Sequence, residues 1–210
     1  MGLPTILHVS DDCTAILGPI ITDEPALLAS LTLIASEAEE LSNIRHPAQR
    51  VEWLACRAAI RHLVEMQGLT YLGLQKDEFG KPHLVNLPWF VSLSHTSGWA
   101  AAVLHRSRPV GIDVEPIRDQ FQRVVPRVLS NEEIAHANGD SDRLAVYWCA
   151  KEALYKLYGK RNLTFREHLH IEPFLDGADT LVGHVRLPNH KEQLVIRCYK
   201  TGPGLLAVAY

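Results

Sequence analysis

The chain has 210 residues, 47% of them hydrophobic, with 21 Lys and Arg against 24 Asp and Glu. That length and composition suit one sizeable core or two small lobes and exclude a disordered chain. The net charge of −3 offers no basic field for nucleic acid and no attraction to acidic membrane surfaces.

The charge is unevenly spread. Residues 1–44 hold seven carboxylates and no Lys or Arg, so the remainder carries 21 basic against 17 acidic residues, and any anion site is expected after residue 44. Cys13, Cys56, Cys149 and Cys198 stand singly with no CxxC pair, which points to buried, reduced thiols rather than a disulfide framework or a zinc site. The first residues lack a signal peptide's basic start and continuous apolar run, and no stretch approaches a membrane span. A soluble, cytoplasmic protein is expected.

In chain order, residues 3–9 read as a short strand and residues 24–43 as one or two helices with an acidic outer face. Pro47 suits a first helical turn, and Val51, Leu54, Ala58, Leu63 and Val64 fall near helical spacing before a stop at Gly68. Gly80-Lys81-Pro82 reads as a turn, and residues 89–93, 99–104 and 110–115 as strands. Ser130 and Glu133 have the spacing of a capping box. Residues 141–159 predict a helix, because Leu144, Tyr147, Trp148, Leu154, Tyr155 and Tyr158 fall on one stripe and Gly159 supplies a stop. Residues 194–199 and 205–210 read as a hairpin around 201–204. A short echo between residues 98–104 and 204–210 hints at two related lobes.

Two segments carry the chemistry. Asp113 and Glu115 are two apart on a strand, so they project from one face about 7 Å apart. Magnesium takes one or two carboxylates plus phosphate and water, so this strand end is a plausible half-site, although an isolated D-x-E is more often a solvated strand end. On the helix that follows, Glu152 and Lys156 stand at i and i+4, a spacing that a surface ion pair also explains. Lys151 falls between Trp148 and Tyr155 inside the apolar stripe and needs a partner, or a snorkelling path to water. The 80–82 turn and Ser92-Leu93-Ser94-His95-Thr96 add a cation, two hydroxyls and an imidazole that suit phosphate and purine edges, though such groups at a strand end are more often turn chemistry.

Taken in order, RVEWLACR (50–57), GKP (80–82), SLSHT (92–96), VGIDVE (110–115) and WCAKEALYK (148–156) resemble the Sfp-type 4'-phosphopantetheinyl transferase superfamily over residues 50 to about 165. The specificity lies in the combination of G-I-D-x-E with W-x-x-K-E-A-x-x-K some 35 residues later. The resemblance implies an α+β fold of two similar lobes related by a pseudo-twofold, each a small antiparallel sheet packed on helices, with the active site at the lobe interface. Residues 1–107 would form the coenzyme A nucleotide side and residues 108–210 the side with the magnesium strand and catalytic helix.

It further implies that Asp113, Glu115 and Glu152 bind magnesium with the coenzyme A pyrophosphate, and that Lys156 contacts that phosphate. His95 and an arginine, either Arg50 or Arg57, would hold the 3'-phosphate, with Lys81 and Ser94 at the adenine end. The implied reaction moves phosphopantetheine from coenzyme A to a serine of an apo acyl or peptidyl carrier protein, with Glu152 as base and Lys156 stabilising the departing phosphate. Arg118, Arg123 and Arg127 are candidates for gripping the acidic carrier, or are simply solvated charge. A chain holding both lobes would work as a monomer.

The chain departs from the family pattern in having no basic residue before Arg45, Cys56 where glycine is common and Thr96 where serine is usual. Two other functions stay open: another magnesium-dependent phosphoryl transferase or nuclease using the same carboxylates, and a non-catalytic member that binds coenzyme A or carrier protein. A zinc role for the histidines is disfavoured; His168 and His170 could share one strand face, but no ligand partner sits at zinc spacing.

Overall fold

Two runs of apolar strands, each interrupted by helices, fold into two units in a computed structural model that describes residues 3–116, 121–202 and 204–210, with side chains at all of these except 121–124. The units are Met1–Pro109 and Val110–Tyr210. In the first, β1 (Thr5–Ser10) and β2 (Cys13–Pro19) are followed by α1 (Glu24–Ala29), α2 (Ala35–Asn43) and α3 (Pro47–Met66). Strands β3 (Leu74–Lys76), β4 (Pro82–Leu84), β5 (Phe90–Thr96) and β6 (Trp99–His105) complete it. All neighbours in the sheet, ordered β1-β2-β6-β5-β4-β3, are antiparallel. The apolar stripe of α3 packs Ile60, Leu63 and Val64 against Ile16, Val91, Ala102 and Leu104 of that sheet. Its earlier turns bury Leu54, Ala55 and Cys56 with Leu27, Leu41 and Ala100.

The second unit begins with β7 (Gly111–Glu115) and continues through α4 (Phe121–Val128), α5 (Asn131–Ala137), α6 (Ser141–Tyr158) and α7 (Phe165–His168). Strands β8 (Leu169–Ile171), β9 (Thr180–Leu187), β10 (His190–Thr201) and β11 (Gly204–Ala209) close it. The antiparallel order is β7-β11-β10-β9-β8, which makes β7 an edge strand. Both sheets packed on helices give the α+β class. No helix among the described residues is long and apolar enough to cross a membrane.

Helix α6 is the core of this unit. Asp140 caps it by accepting from the Arg143 amide, and Gly159 ends it in the left-handed conformation at φ 73°. Small residues face the sheet: Ala145, Cys149 and Ala153 are all fully buried, so the helix axis comes close to the strands. The approach is tightest at Gly111, where a Cβ would lie 1.9 Å from the Ala153 carbonyl oxygen and 2.5 Å from the Leu157 amide. Gly111 is therefore required by close backbone approach. At Gly183 of β9 a Cβ would similarly meet Ile196 and Leu154 side-chain carbons at 2.7 and 2.9 Å.

The short elements are where reading the chain falls short. The pair β3 and β4 is three residues each, and β2 follows β1 after a two-residue turn, so neither shows a separable pattern. In β9 the alternation of Leu181, Gly183 and Val185 inward is present but is weakened by the glycine. His168 is not on a strand beside His170: it ends α7, where its Nδ1 accepts the Thr164 amide at 2.8 Å, while His170 lies in β8. A one-turn helix satisfied by its own histidine interrupts the strand pattern there.

Because the atoms facing Gly111 are helix backbone and cannot rotate away, Gly111→Ala is expected to cost about 3 kcal/mol. Thermal unfolding should fall by about 10 °C or more in a unit of this size, whereas Gly177→Ala, in open space but at φ +78°, should cost only about 1 kcal/mol. Scanning calorimetry of the two variants checks this.

Candidate active site

The two charged segments meet across β7 and α6. Lys156 Nζ donates to Asp113 Oδ1 at 2.7 Å, and Trp148 Nε1 donates to Glu115 Oε1 at 3.2 Å. Residues 148, 152 and 156 are spaced by four, so they lie along one flank of the helix and Glu152 stands between the two contacts. Cys149 anchors the same stretch from below, its thiol directed at the Asp113 and Leu205 carbonyl oxygens at 3.4 and 3.7 Å. The edge position of β7 leaves this row of polar groups at the margin of the sheet rather than in its middle.

The electrostatics follow from that crowding. Burial, with the charges of Asp113 and Glu115 added, pushes the Glu152 carboxyl up from its ordinary 4.5 to about 7, against the opposing pull of Lys156. A carboxyl that titrates near neutrality is suited to accepting and returning a proton. Among the described residues, no three His, Cys, Asp or Glu side chains stand together at metal-ligating spacing. Magnesium does not need three, since one or two carboxylates with phosphate and water complete its octahedron. The donor set fits it: oxygen ligands only, on adjoining elements, with Glu152 raised first by burial and then by the charges of Asp113 and Glu115.

Lys151, adjacent in sequence, points elsewhere. Its ammonium is completely buried and is held by Glu133 Oε2 at 2.6 Å, the Val128 carbonyl oxygen at 2.8 Å and the Phe165 carbonyl oxygen at 3.3 Å. Glu133 also accepts the Ser130 amide at 2.7 Å, completing the capping box, and the Ile171 amide at 2.9 Å. Burial lowers the lysine's pKa, and the Glu133 charge opposes that. The lysine does not snorkel.

The first unit carries the other predicted residues. Asp77 holds the 80–82 turn by accepting the Phe79 and Lys81 amides at 2.9 Å each and contacting His83 at 3.1 Å, with Gly80 at φ 90°. Burial brings the Lys81 ammonium down to about 8, partly offset by Asp77. Ser94 is buried on β5, while His95 next to it is 48% exposed, with Nδ1 3.6 Å from Glu52 Oε2. The two arginines are engaged within this unit. Arg57 is 4% exposed, bonds Glu37 at 2.9 Å and Glu40 at 3.2 Å, and stacks its guanidinium 3.1 Å from the centre of the Trp53 ring. Arg50 bonds Glu24 through two nitrogens at 2.9 and 2.7 Å and the Leu41 carbonyl oxygen at 2.7 Å.

Thus Asp113, Glu115, Glu152 and Lys156 are gathered on one strand and helix, and Lys81, Ser94, His95, Arg50 and Arg57 belong to the other unit. Arg118 lies outside the described residues, as does the Arg123 side chain, and Arg127 is exposed at the end of α4. Two participants escaped sequence reasoning: Glu133 as the partner of Lys151, and Trp148 as the donor to Glu115. The capping box disclosed the first only in its capping role. For the second, a tryptophan in an apolar stripe carries no signal that its indole nitrogen faces a carboxylate.

Residues 109–199 match the family model described as the 4'-phosphopantetheinyl transferase superfamily. The chain is similar to the 4'-phosphopantetheinyl transferase psf-1 of Bacillus pumilus, at 30% identity over 154 residues, covering 69% of this chain and 64% of that protein. It is also similar to the 4'-phosphopantetheinyl transferases ffp of Bacillus subtilis and Sfp of Bacillus subtilis strain 168, each at 26% identity over 133 residues, covering 60% of this chain and 57% of each relative. The chain therefore matches a little under two thirds of the length of these relatives.

Glu152 makes stability depend on pH. The folded state keeps its proton up to about pH 7, whereas an ordinary glutamate releases it near 4.5, so the folded state binds more protons in that interval and stability drops as pH rises through it. Glu152→Gln should stabilise the metal-free protein at pH 8 by about 2 kcal/mol, with the gain shrinking toward zero at pH 5. Denaturant unfolding at the two pH values in the presence of a chelator measures it.

Proposed function

We propose that the chain, which matches the 4'-phosphopantetheinyl transferase superfamily model over residues 109–199 and is 30% identical to a transferase of that name, transfers the 4'-phosphopantetheine arm of coenzyme A to a serine of an apo acyl or peptidyl carrier protein, releasing 3',5'-ADP. The observation that carries this is the joining of the two charged segments by the 2.7 Å Lys156–Asp113 bond, with the Glu152 carboxyl raised to about 7 by burial alongside. A hydroxyl nucleophile needs a proton acceptor that is neither always charged nor always neutral at physiological pH, and Glu152 supplies one.

Asp113 and Glu115 from β7, with Glu152 from α6, would hold magnesium. When bound, the ion supplies charge neutralisation at the pyrophosphate oxygens. Glu152 takes the proton of the carrier serine, directly or through a water, as that oxygen forms its bond to the β-phosphorus. Lys156 lies within reach of Asp113 and offsets the negative charge gathering on the departing phosphate. Trp148 holds Glu115 through its indole nitrogen and keeps that carboxylate from turning away.

In the same proposal the first unit, from Met1 to Pro109, takes the nucleotide end of coenzyme A and the second, from Val110 to Tyr210, carries the reacting groups. His95 is exposed enough to meet the 3'-phosphate, with Lys81 and Ser94 nearer the adenine. If Arg50 or Arg57 joins His95, it must first exchange Glu24, or Glu37 and Glu40, for the phosphate. Arg50, with its side chain 26% exposed, has the lower cost of doing so. Four buried free thiols suit a reducing cytoplasm, where the chain would act as a monomer.

Incubation with several apo carrier proteins, coenzyme A and magnesium should add one phosphopantetheine mass to a carrier, read by intact-protein mass spectrometry. Chelation should stop the gain and added magnesium restore it. Glu152→Gln should lower the rate by about 100-fold or more, and Lys156→Ala by about 100-fold. Full turnover of the Glu152→Gln protein would remove that residue from both its roles.

A further inference from the structure

The buried pair of Lys151 and Glu133 has no part in the chemistry above, yet both members are extensively hydrogen-bonded. All three ammonium hydrogens have acceptors: Glu133 at the start of α5, the Val128 carbonyl at the end of α4 and the Phe165 carbonyl opening α7. Glu133 passes the connection on to β8 through the Ile171 amide. One side chain thus ties α6 to the segments on one flank of it, immediately before Glu152.

Its place around the helix gives those ties a consequence. At about 100° per residue, Lys151 lies some 160° away from Cys149 and Ala153, the residues pressed against β7. The helix is gripped by the strand at Gly111 and Cys149 on one side and by the ammonium on the other. Trp148 and Tyr155 extend that second grip by packing on Phe165, with ring centres 6.3 and 5.1 Å apart. A helix held on one side only can roll. A roll of about 20° carries a carboxylate roughly 6 Å from the axis by about 2 Å, and about 1 Å of misplacement can cost 100-fold in rate.

We propose that Lys151 and Glu133 form a positioning pair, which sets the rotation of α6 and so holds Glu152 and Lys156 against Asp113 and Glu115. This rests on the transferase reading given above. The plain alternative is that the pair only adds stability, a task that apolar side chains of similar volume perform as well or better.

The test uses the full chain with Lys151→Met alone, Lys151→Met combined with Glu133→Gln, and Glu133→Asp. The single Met variant leaves a buried charge without its counter-ion, and its melting temperature should fall by about 10 °C or more. The double variant removes both charges and keeps an acceptor for the Ile171 amide but not for the Ser130 amide, so its melting temperature should recover about half of that loss or more. Its kcat should nevertheless stay at least about tenfold low, with KM for coenzyme A within about twofold, and Mn²⁺ binding by calorimetry should weaken about tenfold. Glu133→Asp keeps the charge with a shorter reach, so it remains informative if the double variant does not fold, and it should show the same lowered kcat with unchanged KM.

Wild-type kcat and Mn²⁺ affinity in a stable double variant, or in Glu133→Asp, would overturn the positioning role. A wild-type protein that modifies no carrier would overturn the transferase reading instead. The Mn²⁺ titrations then decide the pair by themselves: a tenfold loss in the variants supports positioning, and equal binding, including none by any of the proteins, sinks it.

Discussion

Everything at the candidate site depends on helix α6 lying directly on edge strand β7 with no side chain between them at Gly111. A methyl group there would collide with helix backbone, so the strand and helix can be this close only over a glycine. That proximity brings a lysine on the last turn of the helix to 2.7 Å from an aspartate on the strand, and puts a glutamate near two other carboxylates. In the run G-I-D-V-E the glycine and the acids are parts of one arrangement. The first admits the helix, and the acids then face what the helix carries.

Crowding carboxylates in a partly buried place costs stability, and the rest of the unit offsets it. The core around α6 is built from small and aliphatic residues, Ala145, Cys149, Ala153, Leu154, Ile171 and Ile196 among them. The ends of the helix are capped by Asp140 and Gly159. The buried ion pair of Lys151 adds little net stability of its own, because desolvating both charges consumes most of their attraction. Burial also explains three of the thiols: Cys13 and Cys198 are pushed up to about 12 and Cys149 is raised well above its ordinary value, which disfavours the nucleophilic thiolate at neutral pH.

The first unit uses buried charge differently. Arg57 is sandwiched between Trp53 and the carboxylates of Glu37 and Glu40, and Glu37 also accepts the Leu74 amide and lies against the Ile34 amide at the start of α2. This network joins α2, α3 and β3. It accounts for the acidic first 44 residues, whose carboxylates serve in part as counter-ions for the arginines of α3 rather than as a solvated face alone. Two arginines that look available in the chain are therefore already bonded, a fact that only their three-dimensional neighbours reveal.

Local rules of periodicity and capping are strong enough to disclose the long elements. The stripe of α3, the capping box of Ser130 and Glu133, the stop at Gly159 and the last hairpin can all be read because each depends on residues a few positions apart. The spacing of Asp113 and Glu115, and of Glu152 and Lys156, is likewise legible, since helical or strand period determines which face each occupies. The three-residue strands and the one-turn α7 are held by distant partners and leave little local pattern. Which partner satisfies Lys151, which carboxylate Trp148 holds, and which arginines are already paired are decisions of tertiary structure. Those side-chain pairs join residues 17 to 33 positions apart, and charge, hydrogen bonding and burial at such separations depend on how elements pack rather than on the order of residues along the chain.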